Sequence, residues 1–263
     1  MEKRQIALAV GAHPDDVEII CSGTMALLSE AGWELHIATL SLGDYGSDEC
    51  SPQEIRKIRR AEAEKACERL DASYHYVGLH DFGIFHDDRT NRMVTALLRN
   101  VNPEIVITHP PVDYMTDHEI TSRLVRNACF YAAVPNFDTL SLSPVERIAG
   151  VPWLYYAHPI EGTDLFGEPV VPAFYVDITD LIERKAELLA CHSSQREWLR
   201  AHHGMDEYLE IMRRWAAEQG EGASEAAGRT IQYAEAFRQH RGHAYPKENF
   251  LSRILGDRVI PNE

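Results

Sequence analysis

The sequence is short of basic residues. It sets 26 lysines and arginines against 41 aspartates and glutamates, for a formal charge of -15 over 263 residues. Phosphate backbones and anionic membrane surfaces are gripped by clustered Lys and Arg, so neither nucleic acid nor membrane is expected as a partner. Long apolar runs are missing as well, and no stretch has the length of a membrane-spanning helix. The start, MEKRQIALAV, is basic, but its apolar run is short and no small-residue cleavage pattern follows, so a secretory signal is not expected. Cysteine is sparse and scattered: Cys21, Cys50, Cys67, Cys129 and Cys191, with no C-x-x-C pair. That usage suits reduced thiols in a cytoplasmic protein, with Cys67 and Cys129 on helix faces. A G-x-G-x-x-G turn is absent, as are internal repeats and low-complexity tracts.

What is present is an ordinary globular composition, 44% hydrophobic and 25% charged, long enough for one α/β domain with a sizeable core. Apolar runs over 6–10, 34–41, 74–79, 104–108, 152–156 and 173–178 read as strands. Between them lie amphipathic or capped segments that read as helices. The clearest begins at Ser51, with Pro52 at the first helical position and Glu54 completing a capping box. Others cover 88–101 and 119–133, the latter with Thr116 or Asp117 suited to cap it. Beyond Thr179 the pattern is helical to about Ser193, then near 205–219 and 224–239, with Gly220 to Ala223 as a flexible joint. The expected fold is a Rossmann-like, doubly wound, mainly parallel sheet flanked by helices. One domain spans 1–263, with a core over about 1–180 and a helical part over about 180–250.

The chemistry gathers at two strand ends. The first strand runs into Gly11-Ala12-His13-Pro14-Asp15-Asp16, and the fourth ends at Thr108-His109-Pro110 and continues to Asp113, Asp117 and His118. In a doubly wound sheet these strands are commonly neighbours at the topological switch point, where such folds bind ligands. Adjacent carboxylates resist burial unless a positive centre sits among them. Two imidazoles and a carboxylate with one open position suit a catalytic zinc-type ion, and a further carboxylate suits a general base. A plainer reading leaves Asp15 and Asp16 as a helix-capping pair and His109 and His118 as loop and helix-end residues. Dinucleotide binding is disfavoured, because the paired carboxylates would repel a pyrophosphate at the helix N-terminus.

The strand followed by AHPDDVE, the turn Gly23-Thr24, the helical RRAEAE at Arg59 to Glu64, Thr108-His109-Pro110 and Asp117-His118 together resemble the LmbE/PIG-L-like metal-dependent deacetylases. Later, Phe174 to Thr179 and His192-Ser193-Ser194-Gln195 resemble that family's downstream elements. The resemblance implies that His13, Asp16 and His118 bind the metal, zinc or another divalent ion. Asp15 would be the general base acting on a metal-held water that attacks an acetamide. Arg59 matches the family arginine that reaches substrate, and Asp81 stands where an aspartate contacts sugar hydroxyls.

One departure is visible. The family commonly reads His-Pro-Asp-His where this chain has Met115-Thr116-Asp117-His118, so an acid or oxyanion donor is missing at Met115. His109 is the first candidate to replace it, with Tyr155 or Tyr156 as others, and Asp113 is a candidate orienter of a ligand histidine. His192 reads as structural, His202, His203, His240 and His243 as surface residues, and Trp198 and Trp215 as core or subunit anchors. The expected protein is therefore a zinc-dependent N-deacetylase acting on a small N-acetylglucosamine-type compound, and a homo-oligomer. The alternatives are an amidase for a larger amino-sugar conjugate and a metal-binding scaffold without turnover.

Overall fold

The computed structural model describes residues 5–141, 145–196 and 208–262. Trp198, His202 and His203 lie outside the described residues. Eight strands form one sheet: β1 (Ile6–Gly11), β2 (Glu34–Thr39), β3 (Ala72–Tyr76), β4 (Ile105–Thr108), β5 (Trp153–Ala157), β6 (Phe174–Asp177), β7 (Ala234–Gln239) and β8 (Val259–Pro261). Their order is β3-β2-β1-β4-β5-β7-β6-β8. The first five are parallel, and β7, β6 and β8 extend the sheet antiparallel.

The parallel strands are short and apolar because both of their faces are covered. Alternation along β1 sends Ala7 and Ala9 into one buried cluster and Leu8 and Val10 into the other. Helices α1 (Asp16–Ile20), α2 (Ser22–Glu30), α3 (Pro52–Leu70), α4 (Asp88–Val101), α5 (Thr116–Tyr131), α6 (Ile182–Leu189), α7 (Tyr208–Ala227) and α8 (Phe250–Leu255) supply the covering layers. The capping box at Ser51 and Glu54 starts α3, and Cys67 and Cys129 are buried on α3 and α5. β1 pairs with β2 on one side and β4 on the other. Their carboxyl ends therefore flank the point where the strand order reverses.

The C-terminal part departs from its expected pattern in two places. Residues 234–239, expected to be helical, form β7 between β5 and β6. Their Ala, Glu, Arg and Gln favour helix locally, but two strands with unpaired edges and a packed Phe237 outweigh that propensity. The expected joint at 220–223 is the uninterrupted middle of α7. There Gly220 is needed for closeness: a Cβ on it would lie 2.5 Å from the Gln232 carbonyl oxygen, and one on Gly222 would lie 2.6 Å from the Tyr175 hydroxyl. Among the described residues no helix is long and apolar enough to cross a membrane.

Candidate metal centre and active site

β1 ends at Gly11, and four residues carry the chain into α1. The turn is tight enough to put Asp15 at φ 94°, a region that a residue with a Cβ occupies at a cost of about 1–3 kcal/mol unless its surroundings hold it there. The Asp16 carboxylate folds back, and Oδ2 accepts the His13 N–H at 2.7 Å. From the other strand end, α5 starts at Thr116 with Met115 at its N-cap, which offers no capping side chain. Thr116 and Asp117 are thus the first residues of the helix rather than its caps. This entry turn points His118 toward β1, with Nε2 3.4 Å from Asp16 Oδ1. His13 Nδ1 lies 3.6 Å from Asp16 Oδ2.

One donor atom from each of His13, Asp16 and His118 lies within 4.8 Å of the others, and all three residues are buried. The remaining ring nitrogens are held. His13 Nε2 stands 3.1 Å from Asp117 Oδ2 and His118 Nδ1 stands 3.1 Å from Asp113 Oδ1. A carboxylate behind each imidazole, fixing its tautomer and rotation, is the usual support of a metal-ligating histidine. The electrostatics suit a cation. Burial alone would lower the His13 and His118 pKa values, yet hydrogen bonds and charge from Asp117, Asp16 and Asp113 raise them to about 9 and about 10. Burial would raise Asp16, but the charges of His118 and His109 hold it well below the usual carboxylate range. The donor set and its charge surplus therefore fit a divalent ion of the zinc type.

A second grouping, His109, Asp113 and His118, also lies within 4.8 Å. Its geometry fits an ion poorly. The two rings stack at 4.0 Å and 12°, so their in-plane lone pairs run parallel rather than converge. His109 is fully buried and absent from the cleft wall. Its Nε2 accepts the Ala12 N–H at 3.1 Å and lies 3.0 Å from Asp16 Oδ2, while Nδ1 has no hydrogen-bond partner among the described residues. It backs Asp16. Tyr155 and Tyr156 are also out of reach: the first bonds Asn249 and the Phe250 N–H in the core, the second His240.

Asp15 faces the ligand group from the side. Arg59 Nη2 approaches its Oδ1 at 3.4 Å and donates to the Pro14 carbonyl at 2.8 Å. Gly43, at φ 69°, makes room for that guanidinium: a Cβ there would lie 1.9 Å from Arg59 Nη1. On the other side the Tyr208 hydroxyl donates to Asp15 Oδ2 at 2.5 Å. Burial raises the Asp15 pKa, the neighbouring Asp16 adds to the rise, and Arg59 opposes it. Asp81 accepts from Ser41 Oγ at 2.6 Å and from the Tyr45 N–H at 3.1 Å. Behind Asp15, buried His192 lies 3.3 Å from Glu18.

These groups open into a cleft of about 500 Å³ that includes His13, Asp15, Asp16, Arg59, Asp81 and His118. Its lining also includes apolar side chains of α7, Ile211, Met212 and Trp215. Trp215 thus lines the cleft, and is not solely a core or subunit anchor. Met115 lines it too, beside Tyr114, whose ring meets His118 edge-on at 5.4 Å. Sequence reasoning missed Asp117 as the partner of His13, although its place beside His118 was a signal. It missed Tyr208 as well, for which nothing in the local sequence is diagnostic.

The chain is similar to several known proteins. Residues 8–129 match the family described as PIG-L: GlcNAc-PI de-N-acetylase. The chain is 27% identical over 237 residues to 4-oxalmesaconate hydratase of Pseudomonas putida, covering 87% of this chain and 86% of that one. It is 26% identical over 194 residues to diacetylchitobiose deacetylase of Thermococcus kodakarensis, covering 72% and 69%. Among solved structures, the hydratase GalB of Pseudomonas putida superposes with a TM-score of 0.76 at 26% identity, over 93% of this chain and all of that one. The N,N'-diacetylchitobiose deacetylase of Pyrococcus horikoshii shares the fold with a TM-score of 0.75 at 23% identity, over 93% and 88%. Over residues 8–129 the chain carries a PIG-L (LmbE-like) family domain.

Proposed function

We propose that this protein is a zinc-dependent hydrolase that removes an acetyl group from the nitrogen of an N-acetylglucosamine-type compound. The observation that carries the reading is a buried His13, Asp16 and His118 group with a second carboxylate, Asp15, beside it in the same cleft. Those three residues would hold the ion. When bound, such an ion supplies Lewis acidity that makes water nucleophilic near neutral pH and polarises a carbonyl.

The protein's own groups handle orientation and protons. Asp113 and Asp117 hold the two imidazoles in the tautomers that leave His118 Nε2 and His13 Nδ1 free to ligate. Asp15 is the general base: it takes a proton from the attacking water and returns it to the departing amine. Its raised pKa suits the second half of that task. Arg59 and Tyr208 clamp its two oxygens. Tyr114, which lines the cleft with its ring edge-on to His118, fills the role lost at Met115, because a phenol is protonated near neutral pH and able to donate to the developing oxyanion. Asp81 faces sugar hydroxyls. His109, fully buried behind Asp16, is assigned positioning of that ligand in place of the acid role.

The single-domain reading is supported by the one sheet that runs through both halves. Five unpaired cysteines suit a reducing compartment such as the cytoplasm. A homo-oligomer, supported by the exposed Leu165 and Phe166, is tested by light scattering on the purified chain.

The test is release of free amine from N-acetyl sugar conjugates by metal-free and zinc-restored protein. Release that needs zinc and is lost in Asp15→Asn supports the reading; none from any acetamide sinks it. A second reading, water addition to an unsaturated carboxylic acid, is favoured by the 87% coverage in the match to 4-oxalmesaconate hydratase and by Met115. Incubation with 4-oxalmesaconate, followed by loss of its conjugated absorbance, separates the two.

A further inference from the structure

Two aromatic side chains at the mouth of the cleft are exposed yet firmly placed. Phe82 is 66% exposed and Tyr45 55%. Both line the cleft beside His13 and Asp81, with ring centroids 5.9 Å apart and planes tilted by 31°. Phe82 sits at φ 54°, a left-handed conformation that is unfavourable for a bulky residue. Its N–H donates to Asp117 Oδ2 at 2.8 Å, the oxygen that also faces His13. The Tyr45 N–H donates to Asp81 Oδ2 at 3.1 Å. Two buried carboxylates grouped round His13 therefore set the backbone of both rings.

Neither local preference nor core packing accounts for this placement. Folding alone would favour a glycine or asparagine at 82, and water gains nothing from a ring fixed in its path. Backbone strain kept by groups in the ligand sphere is the pattern of a functional position. The buried polar groups of the cleft share its lining with these two exposed rings and with apolar Ile211 and Trp215 on α7. A cleft of about 500 Å³ is of the size that receives a drug-sized ligand.

We propose that Tyr45 and Phe82 form a stacking platform for a flat or apolar group attached to the amino sugar. The substrate class is then an acetamido-sugar conjugate carrying an aryl or similarly flat substituent, rather than free N-acetylglucosamine. The proposal rests on the deacetylase reading for the sugar part alone. The platform itself is read from the rings.

The experiment titrates zinc-loaded protein calorimetrically with 4-nitrophenyl N-acetyl-β-glucosaminide and with its methyl counterpart, and follows amine release from both. The aryl glycoside binds about 10-fold more tightly, as expected for burial of one aromatic ring face. Phe82→Ala and Tyr45→Ala each remove most of that preference, and Phe82→Tyr keeps it. Zinc content checks each variant's site, and Tyr45→Ala stands in should Phe82→Ala lose its metal. Equal affinity for the two glycosides, binding of neither, or an aryl preference unchanged in both alanine variants overturns the platform. An aryl preference without amine release from either compound sinks the deacetylase reading and leaves the platform standing.

Discussion

Lys185→Met is expected to destabilise the protein far more than its distance from the cleft suggests. Lys185 and Glu235 are almost wholly buried. The ammonium donates to Glu235 Oε1 at 2.5 Å and to the Ile19 carbonyl at 2.7 Å. Glu235 also accepts the Gly23 N–H at 2.9 Å, the Thr24 N–H at 2.7 Å and the Thr24 hydroxyl at 2.6 Å. Removing one partner of a buried pair typically costs about 3–5 kcal/mol, since it strands the other charge. Here three neutral donors and the N-terminus of α2 remain, offsetting about 1 kcal/mol. The expected loss is about 2–4 kcal/mol, which lowers the melting temperature by about 5–15 °C for a chain of this size.

The assay is urea unfolding followed by circular dichroism, with calorimetry alongside. Lys185→Met combined with Glu235→Gln should recover at least half of the loss, because the stranded charge is gone. The pair also tests the domain organisation, since α6 and β7 are stitched through it to α1 and α2. One cooperative transition that shifts as a whole is expected. A double variant no more stable than the single one would refute the stranded-charge reasoning. Two transitions, only one of which moves, would refute the single domain.

Three further outcomes are expected. Asp117→Asn weakens zinc about 10–100-fold in chelator competition, as loss of a histidine-orienting carboxylate does; unchanged affinity would leave Asp117 only as the holder of Phe82. Tyr208→Phe removes a charge-assisted hydrogen bond to Asp15, so kcat falls about 10–100-fold with KM and zinc content unchanged; a fall in zinc instead would make Tyr208 structural. His158 has its pKa lowered from 6.5 to about 4 by burial and by Arg238. Its neutral form is favoured by folding, and the unfolded chain binds the extra proton first as pH falls. His158 therefore withdraws about 1–3 kcal/mol of stability as pH drops from 6.5 to about 4. His158→Gln should flatten that part of the stability curve, and an unchanged slope would refute the assignment.

Much of the fold is legible along the chain. Apolar runs announce the parallel strands, which are buried on both faces, and Ser51-Pro52 with Glu54 announces α3, because these signals are local. Within the expected helix over 224–239, residues 234–239 mislead for a physical reason. A short segment rich in Ala, Glu and Arg favours helix in isolation, and only flanking strands can offer its backbone a ladder on both sides. Gly220 and Gly222 mislead similarly: glycine spells flexibility locally, but in α7 it allows a helix to press against Tyr175 and Gln232.

What the sequence by itself determined is the chemistry on offer: a strand running into His13-Pro14-Asp15-Asp16, and an Asp117-His118 pair entering a helix. Residue type and near-neighbour spacing suffice for that, because ligand chemistry and strand-to-helix turns are short-range. Only the tertiary structure decided how the parts divide their work. It brought His118 across from β4 to Asp16, set Asp113 and Asp117 behind the imidazoles, and put His109 out of reach of the cleft. It also drew Tyr208 from 193 residues away onto Asp15. Those contacts depend on which strands pair and on the packing of α7 over the site. Both are settled by burial summed over the whole core, which no local window of residues contains.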